Sequence, residues 1–254
     1  MKRVRLDEAL VAKSLTESLQ TAQNLIDDRK VSVNGAIAVS YAHLIAPNDA
    51  LRVLSVPKYV SRGGLKLELA IRHFKIDFKH QRVLDVGAST GGFTDCALQH
   101  GAREVVASDI GQNLLHEKLV ADARVVVLEN THAKTISNLV NNADSQFAER
   151  FDIITVDVSF ISLRDVLGSV ITALKPDGTL VLLIKPQFEA SKTEADKGAG
   201  IIKDVAIHER VCHEVNDLVV SLGCEVAGII ASPITGHDGN HEFLLVAKYT
   251  RVSP

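Results

Sequence analysis

The sequence predicts an α/β protein in which a mostly parallel seven-stranded sheet, with an antiparallel last strand, follows a small α+β module. From Arg82 onward, short apolar runs alternate with helical stretches, which is typical of a parallel sheet covered on both faces. The last two runs are separated only by the loop 232–241, so the last strand is expected to be an antiparallel hairpin partner. The start of the chain instead combines two short helices with a few short strands.

Helical spacing and one strong turn signal predict the first module. Apolar residues recur at helical spacing near 6–11 and again near 19–26, and either Thr16 or Ser18 could cap the second helix. The segment VSVNGAIAV alternates around Asn34-Gly35, a dipeptide that tolerates positive φ and favours a hairpin.

The domain boundaries follow from these elements. We expect a first domain over residues 1–56, a linker over 57–64 and a second domain over 65–254, entered by an amphipathic helix at Leu65–Phe74. The strands of the second domain are short buried runs, and they are expected at Val83–Val86, Glu104–Ser108, Arg124–Leu128, Ile153–Val156, Leu180–Ile184, Glu225–Ile230 and Phe243–Lys248.

Charge and cysteine usage limit the environment of the protein. Residues 1–82 carry a net charge of +6 and the remainder a net charge of −9, which either indicates that the first third meets a polyanion or reflects uneven solvated charge. The three cysteines form no CxxC pair, the basic start lacks a signal-peptide apolar stretch, and no run approaches the ~20 apolar residues of a membrane span. We therefore expect a cytoplasmic protein without a membrane role.

The sharpest motif is LDVGASTGGFT, placed between the first strand of the sheet and a helix. Its glycines permit a tight turn and close approach of a ligand, and the next strand ends in Asp109, which is placed to bind a ribose hydroxyl pair. The spacing G-x-x-x-G-G matches neither a dinucleotide fingerprint nor a triphosphate loop. The alternative is that these glycines only shape a strand–helix turn.

An acidic residue directly before the glycines favours a cationic ligand. Asp85 would repel a pyrophosphate, whereas it suits the methionine end of S-adenosylmethionine. Glu129 ends the third strand and either meets the adenine or is a solvated strand end. The residues expected to bind this cofactor are Asp85, Gly87, Ala88, Ser89, Thr90, Gly91, Gly92, Phe93, Asp109, Glu129 and Asp157.

Five segments carry a resemblance to a known family: YVSRGGLKLELA, LDVGASTGGFTDCAL, VDVSFISL, LIKPQFEA and SPITGHDGNHEFLL. They resemble the TlyA (haemolysin A) family, whose members are similar to FtsJ-type ribosomal RNA 2′-O-methyltransferases, and the resemblance covers nearly the whole chain. It implies a Rossmann-like, S-adenosylmethionine-dependent methyltransferase domain. It also implies that the first domain is an αL RNA-binding domain of the kind found in a ribosomal protein. There the chain departs from the family pattern, with Leu19 where an arginine is usual and Arg29 where a glycine is usual.

The resemblance implies a catalytic Lys-Asp-Lys-Glu set at Lys66, Asp157, Lys185 and Glu242. Three of these residues also stand where chemistry is expected, because Asp157 and Lys185 end parallel strands and Glu242 opens the strand that runs the opposite way. Taken singly, each is more often a solvated residue at the rim of a sheet. Phe160, three residues after Asp157, is expected to pack rather than to stack on a base.

The chemistry of ribose methylation suits these residue types. A 2′-hydroxyl must lose its proton during attack, and a lysine can take that proton when burial and a neighbouring cation favour its neutral form. We assign Lys185 as the base, Lys66 as the neighbouring cation, and the two acids as the groups that orient them. No metal is required, and no cluster with zinc-ligand spacing appears in the sequence.

The resemblance further implies that the partner is ribosomal RNA or a ribosomal subunit, with a cytidine 2′-hydroxyl as the site of methylation. Candidates for phosphate contacts, which need charge but little sequence information, are Arg3, Arg5, Arg29, Lys30, Lys58 and Arg62. Three rivals remain open: a non-catalytic ribosome-assembly factor, a nicotinamide dehydrogenase, and a membrane-acting haemolysin.

Overall fold

The computed structural model describes residues 3–54, 58–142, 147–236 and 238–250. The chain divides into two compact units, Met1–Lys58 and Tyr59–Pro254. The expected end of the first domain, at residue 56, lies outside the described residues. Much of the expected linker belongs to the larger unit, since Tyr59 is buried in its core.

The smaller unit packs two helices against short strands. Ser18, rather than Thr16, caps the second helix by accepting a hydrogen bond from the backbone N–H of Thr21. The expected hairpin at Asn34-Gly35 is present, with both residues at positive φ. The elements are β1 (Val4–Arg5), α1 (Leu6–Ala12), α2 (Leu19–Asp27), β2 (Val31–Val33), β3 (Ala36–Ile37), β4 (Leu44–Ile45) and β5 (Leu51–Val53). β1 pairs with β4, and β2 lies between β3 and β5.

The larger unit contains the expected seven-stranded sheet, in the order β11-β12-β10-β9-β6-β7-β8. Its strands are β6 (Arg82–Val86), β7 (Glu104–Ser108), β8 (Val125–Leu128), β9 (Phe151–Val156), β10 (Leu174–Ile184), β11 (Cys224–Ala231) and β12 (Phe243–Tyr249). The pairs among β6 to β10 are parallel, and β12 is antiparallel to both β10 and β11. The predicted fold class and the orientation of the last strand are confirmed.

Helices cover the sheet. They are α3 (Gly63–Phe74), α4 (Gly92–Gln99), α5 (Glu117–Val120), α6 (Ile136–Val140), α7 (Leu163–Val170), α8 (Pro186–Glu189), α9 (Lys192–Lys197) and α10 (Val205–Ser221), with short 3₁₀ turns before α6 and after α7. α3 begins two residues earlier than expected. Its second residue, Gly64, faces the Tyr59 ring so closely that a Cβ there would lie 2.3 Å from the ring carbon Cγ.

The alternation of side chains along the strands builds a core on each face of the sheet. In β10, Leu182 and Ile184 join one apolar cluster, whereas Val181 and Leu183 join the other. Burial on both faces explains the continuous apolar runs in the sequence. The parallel pairing of β6, β7, β9 and β10 brings their carboxyl ends to one edge of the sheet, where the candidate site residues lie.

Candidate active site

The glycine loop that joins β6 to α4 fits against the end of β9. Gly87 has a φ of 83°, and a Cβ at this position would lie 2.5 Å from the carbonyl oxygen of Asp157. Gly91, with a φ of 94°, is the residue before α4. Each position therefore requires glycine, the first for close packing and positive φ and the second for the left-handed turn into the helix.

The carboxylate of Asp109 is oriented toward the glycine loop. Its Oδ2 accepts a hydrogen bond from the backbone N–H of Ser89 and its Oδ1 from that of Gly111, both at 2.8 Å. Since each carboxylate oxygen has two lone pairs, both can accept a further bond. Asp109 lines a cavity of about 550 Å³, here called the Asp109 cavity, which also has apolar walls from Ile110, Leu114 and Val158.

A second cavity, here called the lysine cavity, brings the predicted catalytic residues together. Its volume is about 630 Å³, and its lining includes Lys66, Asp157, Lys185 and Glu242. Six of the seven predicted glycine-loop residues also line it, namely Gly87, Ala88, Ser89, Thr90, Gly92 and Phe93. The linings of the two cavities share five residues, namely Gly87, Ser89, Asp157, Ser159 and Phe160. One continuous cleft therefore runs along the edge of the sheet.

The four predicted catalytic side chains form two ion pairs. Nζ of Lys66 lies 2.5 Å from Oε2 of Glu242, and Nζ of Lys185 lies 2.6 Å from Oδ1 of Asp157. Both lysines are only 8% exposed and Glu242 is 4% exposed. Ammonium groups with so little water contact need the carboxylates as partners, because an unpaired buried charge is strongly unfavourable.

The loop before β12 holds Glu242 in place. A Cβ at Gly236 would lie 2.7 Å from Oε1 of Glu242, so the carboxylate sits directly against this glycine. The buried Asn240 accepts a hydrogen bond from the N–H of Ile202 and donates one to the carbonyl of Gly200. These contacts fix the segment that carries Glu242 to the chain that follows α9.

Two predicted cofactor residues lie elsewhere. Asp85 is fully buried, and its two oxygens accept hydrogen bonds from the hydroxyls of Thr94 and Thr155 at 2.7 and 2.8 Å. Burial raises the pKa of the Asp85 carboxyl to about 6. Glu129 accepts a hydrogen bond from the backbone N–H of Asn113 at 2.7 Å. Neither acid is among the described residues that line the two cavities, so direct contact of Asp85 or Glu129 with the cofactor stays a prediction.

Several residues of the cleft were missed by reasoning from the sequence. Ser159 and Gln187 line the lysine cavity, and Thr131 and His132 line the Asp109 cavity. Their signal was positional only, since each follows closely on a strand end at the edge that binds ligands.

The prediction that Phe160 packs in the interior is wrong. Its side chain is 91% exposed, and its backbone has a φ of 62°. Its ring lies 5.2 Å, between centroids, from that of Phe188.

Two of the predicted phosphate-binding cations are already engaged within the smaller unit. Arg5 donates two hydrogen bonds to the Asp7 carboxylate, at 2.7 and 3.0 Å, and these bonds lower the pKa of Asp7 to about 2. Lys30 lies 2.8 Å from Oδ2 of Asp28. Their charges are therefore partly neutralised, although the Arg5 side chain remains 41% exposed.

The remaining predicted cations are exposed, and their contact with RNA stays a prediction. Arg3, Lys58 and Arg29 lie on the surface. Arg29 has a φ of 57° and is the second residue after α2, where the family pattern has glycine. Leu19, the other departure, is the exposed first residue of α2. Arg62 is exposed in the larger unit and lines the lysine cavity.

The structure also bears on metals, membranes and disulfides. In residues 3–54, 58–142, 147–236 and 238–250, no group of three His, Cys, Asp or Glu side chains is arranged to hold a metal ion. Over the same ranges, no helix has the length and apolar character that crossing a membrane requires. All three cysteines are free thiols.

Comparison with known proteins identifies relatives along the whole chain. The family described as FtsJ-like methyltransferase matches residues 59–249. Hemolysin A of Brachyspira hyodysenteriae is 41% identical over 241 residues, which cover 95% of this chain and 98% of that protein. The 16S/23S rRNA (cytidine-2′-O)-methyltransferase TlyA of Mycobacterium tuberculosis is 39% identical over 246 residues, covering 96% and 89%. A solved structure described as a hemolysin, from Streptococcus thermophilus, has a TM-score of 0.72 at 36% identity and covers 98% of this chain and 90% of that one.

Proposed function

This chain belongs to the FtsJ-like methyltransferase family, and from that membership we propose that it methylates a ribose 2′-hydroxyl of ribosomal RNA, with S-adenosylmethionine as methyl donor. The observation that carries the proposal is the pairing of two buried lysines with two carboxylates in one cavity, beside the glycine loop. This arrangement offers a proton acceptor and a fixed cation in a site with limited access to water.

The cleft fits S-adenosylmethionine. The Asp109 cavity combines a carboxylate that can accept two ribose hydroxyls with the apolar walls that an adenine needs. Gly87 lets the glycine loop pack against the backbone of Asp157 beside the cleft. When bound, the cofactor would supply an electrophilic methyl group, whose bond to sulfur breaks with the electron pair left on sulfur as the new oxygen–methyl bond forms. Asp85 does not line the cleft, and we assign it to holding the loop through its two threonines.

Lys185 is the proton acceptor in this mechanism. The oxygen–hydrogen bond of the 2′-hydroxyl breaks during attack, and the proton passes to Nζ of Lys185, which becomes an ammonium group. Asp157, 2.6 Å away, stabilises the positive charge that then develops. The 10% exposure of the Lys185 side chain keeps competing water to a minimum.

Lys66 is assigned the role of the neighbouring cation. Its ion pair with the 3% exposed carboxylate of Glu242 fixes the position of its Nζ, from which it donates a hydrogen bond to the attacking oxygen. Glu242 holds this ammonium in position, and the loop around Asn240 holds Glu242.

The RNA substrate is proposed from the relatives and from the charge of the chain. The relative from Mycobacterium tuberculosis is named for acting on cytidine in 16S and 23S rRNA, so cytidine in ribosomal RNA is the substrate to test first. The positive charge of the first third of the chain suits contacts with phosphates, as do the exposed Arg3, Lys58 and Arg62.

The test is methyl transfer to ribosomal subunits that lack the modification. The protein is incubated with labelled S-adenosylmethionine and with small subunits, large subunits or intact ribosomes, and the RNA is digested to nucleosides for mass spectrometry. We expect 2′-O-methylcytidine as the methylated nucleoside. A methyl group on a base would reject the ribose assignment. Measurable cofactor binding without any product would indicate instead a protein that binds RNA without methylating it.

A further inference from the structure

Ser159 makes a contact that the pairing of lysines and acids does not account for. Its hydroxyl oxygen accepts a hydrogen bond from Nζ of Lys185 at 2.8 Å. The same nitrogen lies 2.6 Å from Oδ1 of Asp157. Two acceptors from one short segment, directly after β9, therefore contact the amine that serves as the proton acceptor.

The contact with Ser159 restricts the direction of the lone pair on Nζ of Lys185. A neutral lysine carries two N–H bonds and one lone pair in a tetrahedral arrangement around Nζ. When Ser159 accepts one N–H bond and the negatively charged Asp157 oxygen, 2.6 Å away, attracts the other and repels the lone pair, the lone pair is left with the one remaining direction. Lys185, Asp157 and Ser159 all line the lysine cavity, where the substrate hydroxyl would lie.

We propose that Ser159 is a positioning residue which, together with Asp157, aims the lone pair of Lys185 at the 2′-hydroxyl; this inference rests on the proposed function. With Asp157 alone, the amine can turn about its Cε–Nζ bond while one N–H bond stays directed at the carboxylate. In one of the two resulting orientations, an N–H bond rather than the lone pair faces the substrate, and no proton can be accepted. Ser159 removes that orientation.

The test is steady-state methyl transfer by Ser159→Ala and Ser159→Thr. The alanine variant loses the acceptor, so its kcat is expected to fall roughly fivefold, the factor to which one ordinary hydrogen bond corresponds. The KM for ribosomal RNA, the affinity for S-adenosylmethionine and the melting temperature are expected to stay unchanged, because Ser159 acts through Lys185. The threonine variant keeps the hydroxyl at an exposed position with room for a methyl group, and it should restore kcat to within about twofold.

Ser221→Ala is the matched control, since this exposed serine at the end of α10 donates its hydrogen bond to a backbone carbonyl of its own helix. An alanine variant at position 159 with the kcat of the wild type would overturn the inference. So would a loss that threonine does not restore, since that loss would be structural. A wild-type protein that forms no product would reject the proposed function itself, and the inference with it.

Discussion

Replacing Glu242 with glutamine should destabilise the larger unit by about 3–5 kcal/mol, the usual cost of removing one partner of a buried ion pair. The substitution keeps the shape of the side chain but leaves the Lys66 ammonium without a counter-charge. Because the two atoms lie 2.5 Å apart and the side chains are 3% and 11% exposed, water cannot take over the role of the carboxylate.

A double-mutant cycle isolates the pair from other effects of the substitution. Lys66→Met removes the other charge, and the variant that carries both changes contains no unpaired charge. We expect its destabilisation to be smaller than the sum of the single changes by about 2 kcal/mol or more. The free energy of unfolding is measured by urea denaturation, followed by circular dichroism, for the transition that belongs to the larger unit.

Asp165→Asn supplies the control. This carboxylate lies 3.6 Å from the Lys134 ammonium, and both side chains are at least half exposed, so the change should cost less than about 1 kcal/mol. If Glu242→Gln cost no more than this control, or if the two single changes were additive, the buried pair would not be formed in solution and the reasoning would fail.

Three further predictions concern the backbone and one buried acid. Burial raises the folded-state pKa of Asp85 to about 6, so the unfolded chain binds fewer protons than the folded chain between about pH 4 and 6. The stability of the wild type relative to Asp85→Asn should therefore fall by about 2 kcal/mol between pH 4 and 7 in urea titrations without cofactor, and parallel curves would refute this. Arg29→Gly should raise the stability of the smaller unit by about 0.5–1 kcal/mol, because a left-handed φ of 57° favours glycine, and an unchanged urea midpoint would contradict it. Gly87→Ala should destabilise the larger unit by at least about 3 kcal/mol and abolish methyl transfer, because the new Cβ would meet the Asp157 carbonyl. The control, Gly239→Ala, has a similar φ of 89° but open space around it and should cost about 1 kcal/mol. Equal losses of stability would show that backbone strain, and not the contact with Asp157, determines the cost.

The sheet was predictable because its signals are local. Each buried strand is a short apolar run, and the brief loop before Phe243 allows only a hairpin return, which sets the antiparallel last strand. The start of β10 was not predictable. The run Leu180–Ile184 is apolar, but the strand begins at Leu174 and its register with β9 shifts before Thr179, over polar residues that carry no strand signal.

The family resemblance implied the catalytic set, and topology supported three of its members, because Asp157 and Lys185 follow the ends of β9 and β10 and Glu242 precedes the antiparallel β12. Lys66 lies within α3, where no strand-end signal applies. The direction in which a side chain points could not be predicted from the sequence in the same way. Asp85 was expected to face the cofactor, but Thr94 from α4 and Thr155 from β9 close around it, and those contacts arise only from packing. Phe160 was expected to pack, but its positive φ directs it into solvent, and a bulky residue gives no warning of such a conformation.

The most direct test of the account is the single-turnover rate of methyl transfer by Lys185→Met, since Lys185 is assigned as the proton acceptor. Lys134→Met serves as the control, because this lysine is half exposed and lies outside the lining of both cavities as described. We expect Lys185→Met to lose about 10²–10⁴-fold in rate while it binds S-adenosylmethionine with an affinity within about threefold of the wild type. A variant that retains the wild-type rate would contradict the assignment of Lys185 as the base.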